Sequence, residues 1–255
     1  MTFTLVTIPC RSDNYAFLLH NDDTGQTLLA DAPEAAPILA ELDNRGWTLD
    51  DLLITHHHQD HIDGVEALRD RYGCRVVGAR ADSHRLPPLD LEVEPDSRFE
   101  TCGTMASVID VSGHTVGHVA FHIPEAEVAF TGDSLMALGC GRLFEGTAPQ
   151  MWDSLLRLRA LPPGTRICSG HEYTASNARF ALSVDPDNTH LVDRASRIEA
   201  ARAEGRPTVP SLLSEECATN PFLRADAPGM DSQVDLPGAE PWAVFAEVRS
   251  RKDKF

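Results

Sequence analysis

The residues most able to do chemistry lie in one stretch, Thr55-His56-His57-His58-Gln59-Asp60-His61. It follows a run that reads as a buried strand, Asp51-Leu52-Leu53-Ile54-Thr55, and precedes Val65, Leu68 and Tyr72 at helical spacing. In an extended segment, side chains two apart point the same way, so His56 and His58 can reach one metal ion together. Asp60 and His61, where the chain turns into the helix, can face a second. Imidazole and carboxylate donors suit zinc, iron or manganese better than calcium or magnesium. His57, between the two aligned histidines, should face away and pack. A chance polar loop would not order its residues as His-x-His-x-Asp-His at the end of a strand.

The elements that must position these residues can be read from period and punctuation. Leu28-Leu29-Ala30 reads as a strand ending at Asp31, followed by a helix over Ala35 to Arg45 closed by Gly46. Gly73 fits a cap for the helix after the histidines, and Arg75-Val76-Val77-Gly78 returns to strand. Residues 82–98, with Pro87, Pro88 and Pro95, read as a loop. Strands are expected at 105–111, 118–123, 127–131 and 165–169, with a helix carrying Met151, Leu155 and Leu158 before the last. Beyond about residue 172 strand signals fade, and Ala175 to Val184, His190 to Ala203 and Trp242 to Lys252 read as helices. The pattern is α/β followed by a smaller helical region, with a boundary near 170–175.

Composition narrows the function classes. The chain has 255 residues, 42% of them hydrophobic, enough for a buried core. No run of about 18 apolar residues suggests a membrane span, and the N-terminus lacks the marks of a signal peptide, so a cytoplasmic protein with no membrane partner is expected. The six cysteines form no Cys-x-x-Cys pair and are expected to be reduced and buried. A net charge of −17 argues against a nucleic-acid partner. Against that background Arg249, Arg251, Lys252 and Lys254 crowd the C-terminus. On charge physics alone they read as a solvated helix end, where cations complement the dipole. His118 and His122, on a strand, read as structural, and His20, His84 and His190 as ordinary surface residues. A monomer is plausible at this size.

The histidine motif resembles the signature of the metallo-β-lactamase superfamily, and the rest of the chain carries the companion motifs in order. Asp31 ends an early strand, His114 lies in Ser112-Gly113-His114-Thr115, Asp133 in Thr131-Gly132-Asp133-Ser134, and His171 in Ser169-Gly170-His171. The resemblance implies an αββα sandwich over 1–172 with a helical domain over 173–255. It implies that His56, His58 and His114 hold one divalent metal, that Asp60, His61 and His171 hold the other, and that Asp133 bridges them. Asp31 then orients a ligand from outside. Zinc is the first expectation for both ions, with iron and manganese open.

Two metals about 3.5–4 Å apart can share a hydroxide and hold a reacting carbonyl, which removes any need for a side-chain nucleophile. The chain has no Gly-x-Ser-x-Gly elbow. Asp60 and Asp133 are the catalytic candidates, Asp60 by orienting the hydroxide. Within the superfamily, Gly139 to Thr147, His171-Glu172-Tyr173-Thr174, Asn220-Pro221-Phe222-Leu223-Arg224 and the end from Arg249 to Phe255 resemble glyoxalase II, which hydrolyses S-(2-hydroxyacyl)glutathione thioesters such as S-D-lactoylglutathione. Arg142, Phe144, Tyr173, Arg249 and Lys252 are then the substrate-binding residues, and the basic C-terminus becomes an anion receiver for glutathione. Arg142 and Phe144 stand where that family often has Lys and Tyr, so a hydrogen bond made by the Tyr hydroxyl is missing. The competing readings are a persulfide dioxygenase of the same fold, a metal-dependent nuclease and a non-catalytic metal-binding module.

Overall fold

The computed structural model describes residues 1–255. The chain divides into two compact units, Met1–Asp110 with Gly117–Gly132, and Val111–Val116 with Asp133–Phe255.

The first unit opens with β1 (Phe3–Cys10), β2 (Asn14–Asn21) and β3 (Thr27–Ala30), an antiparallel meander, then α1 (Ala35–Arg45), β4 (Asp51–Ile54), α2 (Gln59–Ile62), α3 (Val65–Tyr72), β5 (Arg75–Ala79) and β6 (Leu91–Val93). The six strands form one sheet in the order β1 to β6, parallel from β3 onward. Parallel strands joined by helices are buried on both faces, which is why Leu52-Leu53-Ile54 reads as an unbroken apolar run. Leu52 and Ile54 join Leu29 and Val76 in packing against Ile38 and Leu42 of α1 and Val65 and Leu68 of α3. On the other side of the sheet, Phe17 meets Phe130 with ring centroids 6.2 Å apart. Phe130 belongs to four antiparallel strands, β7 (Arg98–Thr101), β8 (Thr104–Asp110), β9 (Val119–Ile123) and β10 (Val128–Gly132).

The second unit contains the hairpin β11 (Leu135–Met136) and β12 (Gly139–Cys140), then α4 (Ala148–Arg159), β13 (Arg166–Ser169), α5 (Thr174–Val184), α6 (Thr189–Ala203), β14 (Ser211–Leu212), α7 (Leu213–Thr219), α8 (Met230–Gln233) and α9 (Pro241–Lys254). Thr147 and Gln150 form a reciprocal capping box at the start of α4, with Pro149 in its first turn. Trp152 of α4 lies 6.2 Å from the Phe245 ring of α9.

Helix α1 has the expected bounds, and Gly46 caps it at φ 68°; Gly73 caps α3 at φ 65°. The stretch 82–98 is not all loop. β6 lies within it, paired in parallel to β5, because three residues suffice at a sheet edge once Pro87 and Pro88 have turned the chain. β7, also missed, begins at Arg98 with a half-exposed, polar pattern that carries little apolar signal. His20 is not a surface residue: it is buried, bonded to Thr27 Oγ1 at 2.9 Å and stacked on Trp47 at 4.0 Å. Five cysteines are buried and Cys217 is partly so; none is in a disulfide.

Leu52 is fully buried at the centre of β4. Leu52→Ala should cost about 2–5 kcal/mol, measured as a lower urea midpoint at unchanged slope; a midpoint within error of wild type would show that this core layer does not support the fold.

Candidate metal centre

β3 and β4 are parallel neighbours, so their C-terminal ends lie side by side, where ligands bind in open sheets of this kind. The residue after β3 is Asp31, and those after β4 are Thr55 and His56. Asp31 is 3% exposed and sits at φ 56°, a backbone conformation disfavoured for any residue with a Cβ. Its carboxylate holds it there. Oδ1 accepts from Thr55 N at 2.9 Å, and Oδ2 accepts from Thr55 Oγ1 at 2.8 Å and from His61 Nδ1 at 2.8 Å.

These bonds fix the tautomers. Asp31 can only accept, so His61 carries a proton on Nδ1, and in the neutral ring Nε2 is the nitrogen left to ligate. Thr55 spends its hydroxyl proton on Asp31, so its oxygen accepts from His56 Nδ1 at 3.0 Å. His56 therefore also presents an unprotonated Nε2, which lies 3.2 Å from His58 Nδ1. Asn14 Nδ2 donates to Asp60 Oδ2 at 3.0 Å and to Asp60 O at 3.1 Å, and Asp60 Oδ2 lies 3.9 Å from His61 Nε2. His57 does turn away, with Nδ1 3.0 Å from the buried Asp82 carboxylate. His118 stacks on His56 at 4.6 Å. Gly132, at φ 49°, lies so close that a Cβ there would stand 2.4 Å from Thr55 Oγ1.

The second unit carries the other expected ligands. Asp133 Oδ2 lies 3.6 Å from His114 Nε2 and 3.3 Å from His171 Nε2, all three residues being buried. His114 Nδ1 donates to the Arg142 carbonyl at 2.9 Å, so in the neutral ring Nε2, which faces a carboxylate oxygen, is the nitrogen left to ligate. With both rings neutral, nitrogen and carboxylate lone pairs converge at these distances, an arrangement a cation would satisfy. Ligand atoms on a tetrahedral ion with bonds of about 2.0–2.1 Å stand about 3.3 Å apart. The donor set thus fits a divalent metal in both units.

Around these ligands, the Tyr173 ring stacks on His171 at 4.7 Å, and the exposed Phe144 ring lies 5.2 Å from His114. Arg142 is exposed, with Nε 3.9 Å from Asp253. Lys252 is half-buried, its ammonium 5.3 Å from the centroids of both Phe180 and Phe255 and 3.3 Å from Ser176 O and Oγ. Burial, with Arg249, Arg179 and Arg142 nearby, brings its pKa down to about 8. Arg249 is not at the rim: it is 6% exposed and donates to Cys140 O at 2.9 Å and Asp253 Oδ1 at 2.9 Å. Arg251 is taken up by Glu247 and Asp235. Burial raises all six thiols, Cys140 to about 11, so none supplies a thiolate at neutral pH.

Residues 23–171 match the family described as the metallo-beta-lactamase superfamily, and residues 172–255 match hydroxyacylglutathione hydrolase C-terminus. The fold is shared with BLEG-1 B3 metallo-beta-lactamase, at TM-score 0.68 and 22% identity over 86% of this chain and 99% of that one. It is shared also with TTHA1623 in a di-iron-bound form, at TM-score 0.57 and 28% identity over 66% of this chain and 91% of that one. These likenesses define a metal-dependent hydrolase of the metallo-β-lactamase fold with a helical C-terminal segment. The hydroxyacylglutathione hydrolase of Ruegeria pomeroyi is 65% identical over the whole of both chains, and this chain belongs to the hydroxyacylglutathione hydrolase family.

Asp31→Ala removes the acceptor for three donors that set the His56 and His61 tautomers. Second-sphere losses of this kind cost about 10–100-fold in metal affinity. Chelator competition should show a drop of that size, and an unchanged affinity would refute the orienting role.

Proposed function

We propose that the chain hydrolyses S-D-lactoylglutathione to D-lactate and glutathione with two divalent metals, zinc in the first instance. His56, His58 and His114 hold one, Asp60, His61 and His171 the other, and Asp133 both. Residues 1–172 are the catalytic segment and 173–255 the glutathione-binding one. The observation that carries this reading is the family relationship along the whole chain, supported by hydrogen bonds that take up Nδ1 of His61 and of His114 and leave Nε2 to ligate.

When bound, the metals supply Lewis acidity and lower the pKa of water to about 7. The chain's own residues do the rest. Asp60, held by Asn14, orients the attacking water and takes up its proton. The leaving thiolate, with a parent pKa near 8.5, departs without a strong general acid, consistent with a site whose buried groups serve as ligands. Tyr173 and Phe144 flank His171 and His114 and give the substrate two ring faces; Phe144 offers contact and no hydrogen bond. Lys252 and Arg142 receive glutathione carboxylates. Arg249 acts from behind them, tied to Cys140 and Asp253.

The family match over the helical end favours this reading over the dioxygenase one. No helix is long and apolar enough to cross a membrane. Six cysteines outside any disulfide suit a reducing compartment such as the cytoplasm, where we place a monomer.

Thiol release from S-D-lactoylglutathione should be fast and abolished by chelation; no release from protein with its metal content verified would sink the assignment. Asp133→Ala should lose both bound metal and nearly all turnover. Lys252→Ala should raise KM more than it lowers kcat, since it removes binding common to ground and transition states. Lys252 is a cation below its pKa of about 8 and loses that charge above it. KM for wild type should therefore rise as pH passes 8, and Lys252→Arg should abolish that rise; a KM flat across this range in wild type would remove Lys252 from the substrate contacts.

A further inference from the structure

The hairpin β11–β12 is short and buried, and its backbone is satisfied from outside. Asn220 Nδ2 donates to Met136 O at 3.1 Å and to Gly139 O at 3.0 Å. Asn177 Nδ2 donates to Ala137 O at 3.0 Å. Leu138, held at φ 55°, donates its N–H to Glu216 Oε2 at 2.9 Å. Cys140 O takes the Arg249 guanidinium. Five consecutive residues thus each spend a peptide group on a side chain from the helical segment. Those side chains are themselves locked: Asn220 also donates to Glu216 Oε2 at 3.0 Å, and the buried Arg194 pairs with the other Glu216 oxygen.

The hairpin's two ends are the metal ligands' supports. One end begins at Leu135, with Ser134 alone between it and Asp133. The other runs into Gly141, where a Cβ would stand 2.0 Å from Asp133 O and 2.9 Å from His114 Nδ1, and then into Arg142, whose carbonyl accepts the His114 proton. A shift of the hairpin by a few tenths of an ångström displaces the acceptor that sets the His114 tautomer.

We propose that Asn220, Asn177 and Glu216 are positioning residues for the metal centre: the helical segment holds His114 and Asp133 in ligating geometry through the hairpin, in addition to receiving substrate. This rests on the assignment of His114 and Asp133 as ligands. It explains why Asn220 is fully buried in a segment whose other role is to meet a soluble thioester.

The test uses the full-length, metal-loaded enzyme. Zinc affinity and dissociation are measured by chelator competition for wild type, Asn220→Ala, Asn177→Ala and Val244→Ala; the last makes a cavity in α9 with no hydrogen bond to lose. The electronic spectrum of the cobalt-substituted forms reports ligand geometry. At a temperature where all are folded, Asn220→Ala should bind zinc about tenfold or more weakly and show a shifted cobalt spectrum, Asn177→Ala less of both, and Val244→Ala neither. If Asn220→Ala fails to fold, Asn177→Ala decides alone. Wild-type zinc affinity and spectrum in the asparagine variants, or equal losses in Val244→Ala, would overturn the proposal. Failure of wild type itself to bind zinc would instead refute the ligand assignment on which it rests.

Discussion

A carboxylate placed at the end of a strand, with three donors to satisfy, decides most of what the first unit does. Asp31 must leave the ordinary backbone region to present its oxygens, a strain of about 1–3 kcal/mol that persists only where the surroundings over-determine it. Thr55 and His61 are those surroundings. The gain is directional: each bond to Asp31 settles where a proton sits, and each settled proton leaves one ring nitrogen able to ligate. Local backbone strain is thereby converted into ligand geometry, and the parallel pairing of β3 with β4 is what makes the contact possible at all.

The second unit reaches the same end differently. Behind His114 stands a peptide carbonyl, and a carbonyl is only as well placed as the chain that carries it. That chain is a hairpin too short to stabilise itself, since two-residue strands bury little and make few ladder bonds. Its order comes from helical side chains whose amides and carboxylate are buried with it. Buried polar groups of this kind are costly when unsatisfied, about 1–3 kcal/mol each, so a fully satisfied set admits one arrangement and rejects its neighbours.

What could be read from sequence follows the same division. Regular apolar period located α1, α3 and the central strands within a residue or two, because those elements are stabilised by the faces they bury. Residue type and order gave the candidate ligand motifs, since few other roles demand His-x-His-x-Asp-His at a strand end. β6 and β14 escaped because edge strands of two or three residues have no period to detect. The hairpin escaped because its partners lie about forty to a hundred residues away, in side chains that look like helix termini. His20 was misplaced because burial of a polar ring depends on a stacking partner, Trp47, distant in sequence. Arg249 was read as a surface cation for the same reason: charge is visible in a sequence and burial of a charge is not.

That burial alters how the C-terminal charge works. A chain of net charge −17 repels an anionic ligand at long range, and at physiological salt only charges within about 8 Å act strongly on it. A cation held inside the fold contributes little to encounter. Arg249 instead fixes Asp253 and Cys140, and thereby the ground on which Lys252 and Arg142 stand. Lys252 is the group whose charge is most sensitive to its setting, being half-desolvated between two rings with other cations near it. On the proposed reading a carboxylate arriving at Lys252 would offset both the desolvation and the repulsion from neighbouring cations. Affinity for an anion would then come from local electrostatics, on a protein whose overall charge opposes it.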